Sequence, residues 1–250
     1  MLRSGNPALT AETFRVATPA YGAEAMTLQG TVNKTGISLL VLLATAAFVW
    51  RRFFEAQSVE AVVPFMWAGI IGGMVAALVT VFKKEWAPVT TPIYAGLEGL
   101  ALGGISAFFE ARFAGIVINA VALTFGTLAA LLLAYRSGLI RATENFKLGI
   151  VAATGAIALL YFLGMVLSLF GTRSPYVHES GAIGIGFSLV VVVIAALNLV
   201  LDFDFIEKGV EQEAPKHMEW YGAFGLLVTL IWLYLEILHL LAKLQGRSRE

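Results

Sequence analysis

The sequence has 250 residues, of which 58% are hydrophobic and only 14% are charged, and its mean hydropathy is +0.81. In a soluble domain about a quarter of the residues are charged, so this composition excludes an ordinary soluble domain. The net charge is zero and no basic run occurs, which argues against nucleic acid as a partner. The absence of cysteine excludes disulfides, thiolate metal sites and thiol catalysis.

The chain begins with a polar segment, residues 1–33, which lacks the apolar core of a cleavable signal peptide. We expect a loosely ordered N-terminal tail there, and a short C-terminal tail at 246–250. Residues 34–245 contain apolar segments of the length needed to cross a bilayer, about 20 residues each. We therefore predict an all-α membrane protein with seven transmembrane helices, at about 35–50, 61–82, 88–109, 113–135, 147–170, 181–206 and 218–242.

Two further patterns concern the arrangement of these spans. Lysine and arginine are more numerous on the N-terminal side of the membrane, which predicts a cytoplasmic N-terminus and an external C-terminus. Small residues recur within the second, third and sixth spans, and we interpret them as sites of close helix packing rather than as pore lining. They are Gly69, Gly72, Gly73, Gly96, Gly99, Gly103, Gly104, Gly181, Gly184 and Gly186.

Acidic residues inside the spans need a reason, because each costs roughly 2.5–3.5 kcal/mol at the bilayer centre. Glu98 lies in the middle of the third span, so its partner must come from another helix. Two interpretations of Glu98 are left open: a protonated side chain that donates a hydrogen bond to another helix, and a functional role. Glu236 lies deep in the seventh span with His239 on the same helical face, and we favour a functional role for Glu236. We place His239 itself near the interface.

Two further acids, Asp202 and Asp204, close the sixth span and cannot share a helical face, since they are about 200° apart around the helix. Asn198 is one turn before Asp202 and shares its face. We therefore predict that Asp202 points into the helix bundle. Asp204 groups with Glu207 nearer to water, and we favour a solvated helix end for it.

The chemistry of these residues favours cation or proton handling over catalysis. The motifs GxSxG and HExxH and a glycine-rich phosphate loop do not occur, so we do not expect an enzyme or a resident cofactor. Carboxylate oxygens suit Ca²⁺, which takes about six to eight oxygen ligands. Two close carboxylates also share a proton, which makes such a pair responsive to pH.

Three sequence motifs have the pattern of one known family: LNLVLDFDFIEK in the sixth span, LYLEILHLL in the seventh and LEGLALGGIS in the third. They resemble the penultimate-helix, last-helix and third-helix motifs of the Bax inhibitor-1 family, and in particular of its longer bacterial branch related to YccA. The resemblance implies seven helices with a central one surrounded by the others, in the bacterial inner membrane. It also implies a pH-sensitive calcium leak gated by a carboxylate pair, which falls on Asp202 and Glu236.

That pair departs from the family pattern, because Glu236 stands where an aspartate is usual. Asp202 and Glu236 would reach the same depth only if the sixth helix continues past Glu207, or if a helix is broken or tilted. In an alternative register fixed by Trp220, no acid occupies the last-helix position. We favour the register of Glu236 because LYLE is the closer match.

Our leading hypothesis is a pH-sensitive calcium or cation leak channel or exchanger, with Asp202 and Glu236 as candidate Ca²⁺ ligands and with Asp204 and Glu98 as further acids of the ion path. Its partners are then the lipid bilayer and Ca²⁺ or H⁺. The rival hypothesis, supported by the resemblance to YccA, is a regulator without transport that binds a membrane protease or another membrane protein. A third is proton-coupled transport of a small solute with Glu98 as the binding acid.

Overall fold

The computed structural model describes residues 24–169 and 181–247. Within them the chain forms seven α-helices, each long and apolar enough to span a membrane, and no strand. The prediction of an all-α protein with seven transmembrane helices is confirmed. The helices are α1 (Leu28–Ala56), α2 (Val63–Phe82), α3 (Ala87–Arg112, after a 3₁₀ turn at Lys84–Trp86), α4 (Ile116–Arg136), α5 (Glu144–Leu169), α6 (Ala182–Glu211) and α7 (Met218–Arg247).

Several helices extend beyond the apolar segments that predicted them. Helix α1 begins at Leu28, well before the predicted start near residue 35, because Thr27 caps it: the Thr27 hydroxyl accepts a hydrogen bond from the Gly30 N–H at 3.0 Å. Helix α6 continues to Glu211, past the predicted end at residue 206. The rest of the predicted tails, residues 1–23 and 248–250, lies outside the described residues.

The helices divide between two compact units. The described part of the first unit consists of α4, α5, α6 up to Asp204, and α7 from Thr229. The second contains α1, α2 and α3 together with the end of α6 and the start of α7. Helix α7 is the most buried of the seven, with 67% of its most apolar stretch buried against 50% for α3.

In the second unit, α3 packs against both α1 and α2 through glycines. A Cβ on Gly103 would overlap the carbonyl oxygen of Ala46 in α1, and one on Gly69 in α2 would lie 2.5 Å from the carbonyl oxygen of Leu97. Close packing is therefore confirmed at these glycines. It is wrong for Gly181, just before α6, and for Gly186 within it, where a Cβ would meet no described atom within 4 Å.

The chain that leads into α1 is also fixed in the second unit. Residues Ala25 and Pro215 form an isolated antiparallel bridge. The Met26 N–H donates to the Ala214 carbonyl at 2.6 Å, and the Lys216 N–H donates to the Glu24 carbonyl at 3.1 Å. The start of α1 is thereby attached to the link between α6 and α7.

The glycine contacts generate a stability prediction. We expect Gly103→Ala to lower the thermal unfolding midpoint in detergent, because overpacking costs about 1–3 kcal/mol. Gly126→Ala in α4 is the matched control, since its Cβ would meet no atom of the described residues within 4 Å. Equal midpoints for the two variants would contradict close packing at Gly103.

Candidate functional site

Asp202 is fully buried, with 0% of its surface exposed. Asn198 precedes it by one helical turn on the same face of α6 and is 2% exposed. The Asn198 amide donates to the hydroxyl of Thr154 on α5 at 2.8 Å and to the Ile194 carbonyl at 2.8 Å. The prediction that Asp202 and Asn198 share an inward face is confirmed.

Asp204 forms an ion pair with Lys147 of α5, and the expectation of a solvated helix end is wrong. The Lys147 Nζ lies 2.8 Å from Asp204 Oδ2 and 3.2 Å from Glu144 Oε1. The side chains of Lys147 and Asp204 are only 2% and 16% exposed, whereas that of Glu144 is 67% exposed. Because α5 begins at Glu144, Lys147 lies in its first turn beside α6 and not in a loop.

Glu236 lies in α7 and is 5% exposed. Its Oε1 accepts a hydrogen bond from the Tyr161 hydroxyl of α5 at 2.9 Å and one from the Trp232 indole N–H at 3.2 Å. Both donors are neutral groups. His239 is exposed, and both its place near the interface and a proton relay between Glu236 and His239 stay predictions.

The depth of Glu236 relative to Asp202 follows from a contact near the other end of α6. Lys243 of α7 donates to the Ser188 hydroxyl at 2.8 Å and to the Gly184 carbonyl at 3.3 Å. At 1.5 Å of rise per residue, Asp202 lies about 21 Å along α6 from Ser188. Glu236 lies only about 10 Å along α7 from Lys243, in the same direction. By this register the two carboxylates lie at different depths, so their pairing stays a prediction.

Glu98 belongs to the second unit, whereas the other three predicted acids belong to the first. It is partly buried in α3, and its carboxylate lies against Gly73 of α2. A Cβ on Gly73 would be 2.7 Å from Glu98 Oε1. Gly73 therefore leaves room for the carboxylate, while a partner from another helix and a functional role of Glu98 stay predictions.

A buried acid that the sequence analysis missed is Glu219, in the first turn of α7, which is 0% exposed. Its Oε1 accepts from the Thr27 N–H at 2.9 Å and from the Thr27 hydroxyl at 2.8 Å. It also pairs with Lys34 of α1 and with Lys216, whose Nζ is 3.3 Å away. The hydrogen bond to Glu219 raises the pKa of the Lys216 ammonium. This cluster joins the start of α1 to the start of α7.

The signal for this cluster is present in the sequence but weak. Glu219 is an acid one residue before Trp220, at the start of a long apolar run. The second signal is Gly30: any larger residue there would overlap the Glu219 carboxylate with its Cβ.

Residues 6–246, nearly the whole sequence, match the family described as Bax inhibitor 1 like. The chain belongs to this family. No curated protein and no solved structure matches it. With its seven apolar helices, this Bax inhibitor 1 like protein is a multi-pass membrane protein.

The acids of this Bax inhibitor 1 like protein can accept protons or coordinate a hard cation, since carboxylate oxygens suit both. The described residues contain no group of three or more His, Cys, Asp or Glu side chains that could hold a metal ion. Coordination of Ca²⁺ by Asp202 and Glu236 therefore stays a prediction. What the first unit provides is two acids, Asp204 and Glu236, that polar groups of α5 contact.

The ion pair of Lys147 and Asp204 generates a second stability prediction. We expect Lys147→Met to destabilise the protein by about 3 kcal/mol, because it leaves the largely buried Asp204 carboxylate without its cation. The double variant Lys147→Met/Asp204→Asn should recover most of this loss. Chemical unfolding in detergent measures both.

The matched control is Arg51→Met, which breaks the pair of Arg51 and Glu55 at 2.6 Å, with side chains 80% and 51% exposed. We expect almost no change there, since exposed pairs contribute little. A double variant as unstable as Lys147→Met would show that the ion pair is not the cause.

Proposed function

We propose that this protein is a pH-sensitive cation leak channel or exchanger, with Ca²⁺ as the leading ion, and that Asp202 and Glu236 control it. The observation that carries the proposal is Glu236, a 5% exposed carboxylate inside an apolar helix that neutral donors hold. Intramembrane acids are costly and commonly belong to ion or proton paths. Asp202, at 0% exposure, is the second acid of this kind in the same unit.

The proposed switch depends on the fact that the charged and the protonated forms of a carboxyl group bind different hydrogen-bond partners. A charged Glu236 only accepts hydrogen bonds, as it does from Tyr161 and Trp232. A protonated Glu236 can also donate, and a carboxylate such as Asp202 is then a suitable acceptor. Protonation would therefore favour the pair and a closed state, and loss of the proton would release it. Since the two acids differ in depth here, this closed state requires a second arrangement of α6 or α7.

The proposed setting is the bacterial inner membrane, with the N-terminus in the cytoplasm and the C-terminus outside. The excess of basic residues on the N-terminal side supports this orientation. In it, the cluster around Glu219 lies on the same side of the membrane as the N-terminus, because it contacts Thr27 and Lys34 at the start of α1.

A second candidate function is a regulator that binds a membrane protease or another membrane protein without transport. It is favoured by the attachment of residues Ala25 and Met26 to the link between α6 and α7. A partner that pulls on the N-terminal tail would act directly on this link. The two candidates differ in whether the purified protein conducts ions.

Calcium flux in liposomes tests the leading proposal. We expect the purified protein to release Ca²⁺ faster as the pH rises through a series around neutrality, and Asp202→Asn to abolish that dependence. The control is Glu211→Gln, which removes an exposed acid at the end of the same helix and should leave the profile unchanged.

An unchanged pH profile in Asp202→Asn would overturn the proposed switch. If the purified protein conducts nothing at any pH, while deletion of residues 1–23 abolishes its effect in cells, the regulator is the better account.

A further inference from the structure

Polar side chains recur every seven residues along one face of α5. They are Lys147, Thr154 and Tyr161, which lie on the same side of the helix because seven residues make about two turns. This polar face covers about 21 Å of helix length, a large part of the roughly 30 Å of hydrocarbon in a bilayer. Other positions of α5 are typical of a lipid-facing surface: Leu160 and Leu163 are each 47% exposed.

Each residue of the polar face contacts a polar group of another helix in the first unit. Lys147 pairs with Asp204 of α6 at 2.8 Å, and Tyr161 donates to Glu236 of α7 at 2.9 Å. Thr154 lies between them and accepts from Asn198 of α6 at 2.8 Å. The polar face thus connects the ion pair at the start of α5 with the intramembrane acid of α7.

Asn198 provides a second, independent observation. Its side chain is buried, and its Oδ1 has no hydrogen-bond partner among the described residues. A buried acceptor without a hydrogen bond lowers the stability of the fold by about 1–3 kcal/mol. Buried water molecules commonly donate a hydrogen bond to such groups. Because the Nδ2 of the same amide binds Thr154, the Oδ1 lies next to the polar face, one turn from Asp202.

We propose that the polar face of α5 lines a hydrated path between α5 and α6. This path leads from the start of α5, near Lys147, towards Glu236, and a water molecule in it binds Asn198 Oδ1. The pair of Lys147 and Asp204 lies at the mouth of this path, beside the exposed Glu144. The inference deepens the proposed function and rests on it for the species that uses the path, a proton or a cation. It assigns to Thr154 and Tyr161 the role of path-lining residues.

Cysteine accessibility tests the path, because the chain has no cysteine of its own. Thr154→Cys and Tyr161→Cys are made separately in the full-length protein and reconstituted in liposomes. A charged, membrane-impermeant methanethiosulfonate reagent is added, and the labelling rates are divided by those of the same variants in denaturant. This division corrects for thiol reactivity, and a variant that fails to fold labels at its denatured rate.

Two matched controls accompany these variants. Leu163→Cys places a thiol on the lipid-facing side of α5. Thr124→Cys replaces a buried threonine of α4 whose hydroxyl donates to the Ala120 carbonyl of its own helix, at 2.8 Å. We expect the positions of the polar face to label at least about tenfold faster than both controls, because the reactive thiolate needs water.

Equal corrected labelling rates at all four positions would overturn the proposed path. The polar face would then only form hydrogen bonds between helices, without water. Calcium flux of the same samples separates this failure from that of the proposed function. Flux without labelling at positions 154 and 161 contradicts the path alone. Labelling without flux at any pH supports the path and contradicts the cation leak.

Discussion

Burial of carboxylates in membrane-spanning helices is the constraint on which the rest of this structure depends. Each such charge costs roughly 2.5–3.5 kcal/mol at the bilayer centre, so it needs polar partners within the protein. Helices α6 and α7 carry four buried or largely buried acids: Asp202, Asp204, Glu219 and Glu236. Helix α1 supplies a partner to Glu219, and α5 supplies partners to Asp204 and Glu236, in each case from a site far away in the sequence. These contacts join α1 to α7, and α5 to α6 and α7.

The acids of α7 are held in two different ways, and this difference separates a structural role from a switching role. Glu219 contacts two ammonium groups, of Lys34 and Lys216, so gain of a proton would break ion pairs. The hydrogen bonds to Glu236 come from two neutral donors, Tyr161 and Trp232, so its protonation breaks no ion pair with either of them. The first arrangement suits a permanent attachment at the start of α1, and the second suits a group that changes its partner with pH.

Hydropathy was sufficient to predict the seven spans, and helical periodicity was sufficient to predict the inward face of Asp202 and Asn198. Both depend only on residues close in the sequence. The cluster of Lys34 and Glu219, whose partners are 185 residues apart, was missed, as was the bond from Tyr161 to Glu236, 75 residues apart. The error at Asp204 has the same origin. A residue at the end of an apolar segment has the same local pattern whether water or a distant lysine neutralises it.

The proposed switch requires that an intramembrane carboxyl group of this Bax inhibitor 1 like protein changes its protonation state with pH in the folded protein. Infrared difference spectra of reconstituted protein at two pH values measure this directly through the C=O stretch of a protonated carboxyl group. We expect a carboxylic acid band at the lower pH that is lost in Glu236→Gln or Asp202→Asn and is retained in Glu211→Gln. A difference spectrum without such a band, or one that is the same in all variants, would contradict the claim.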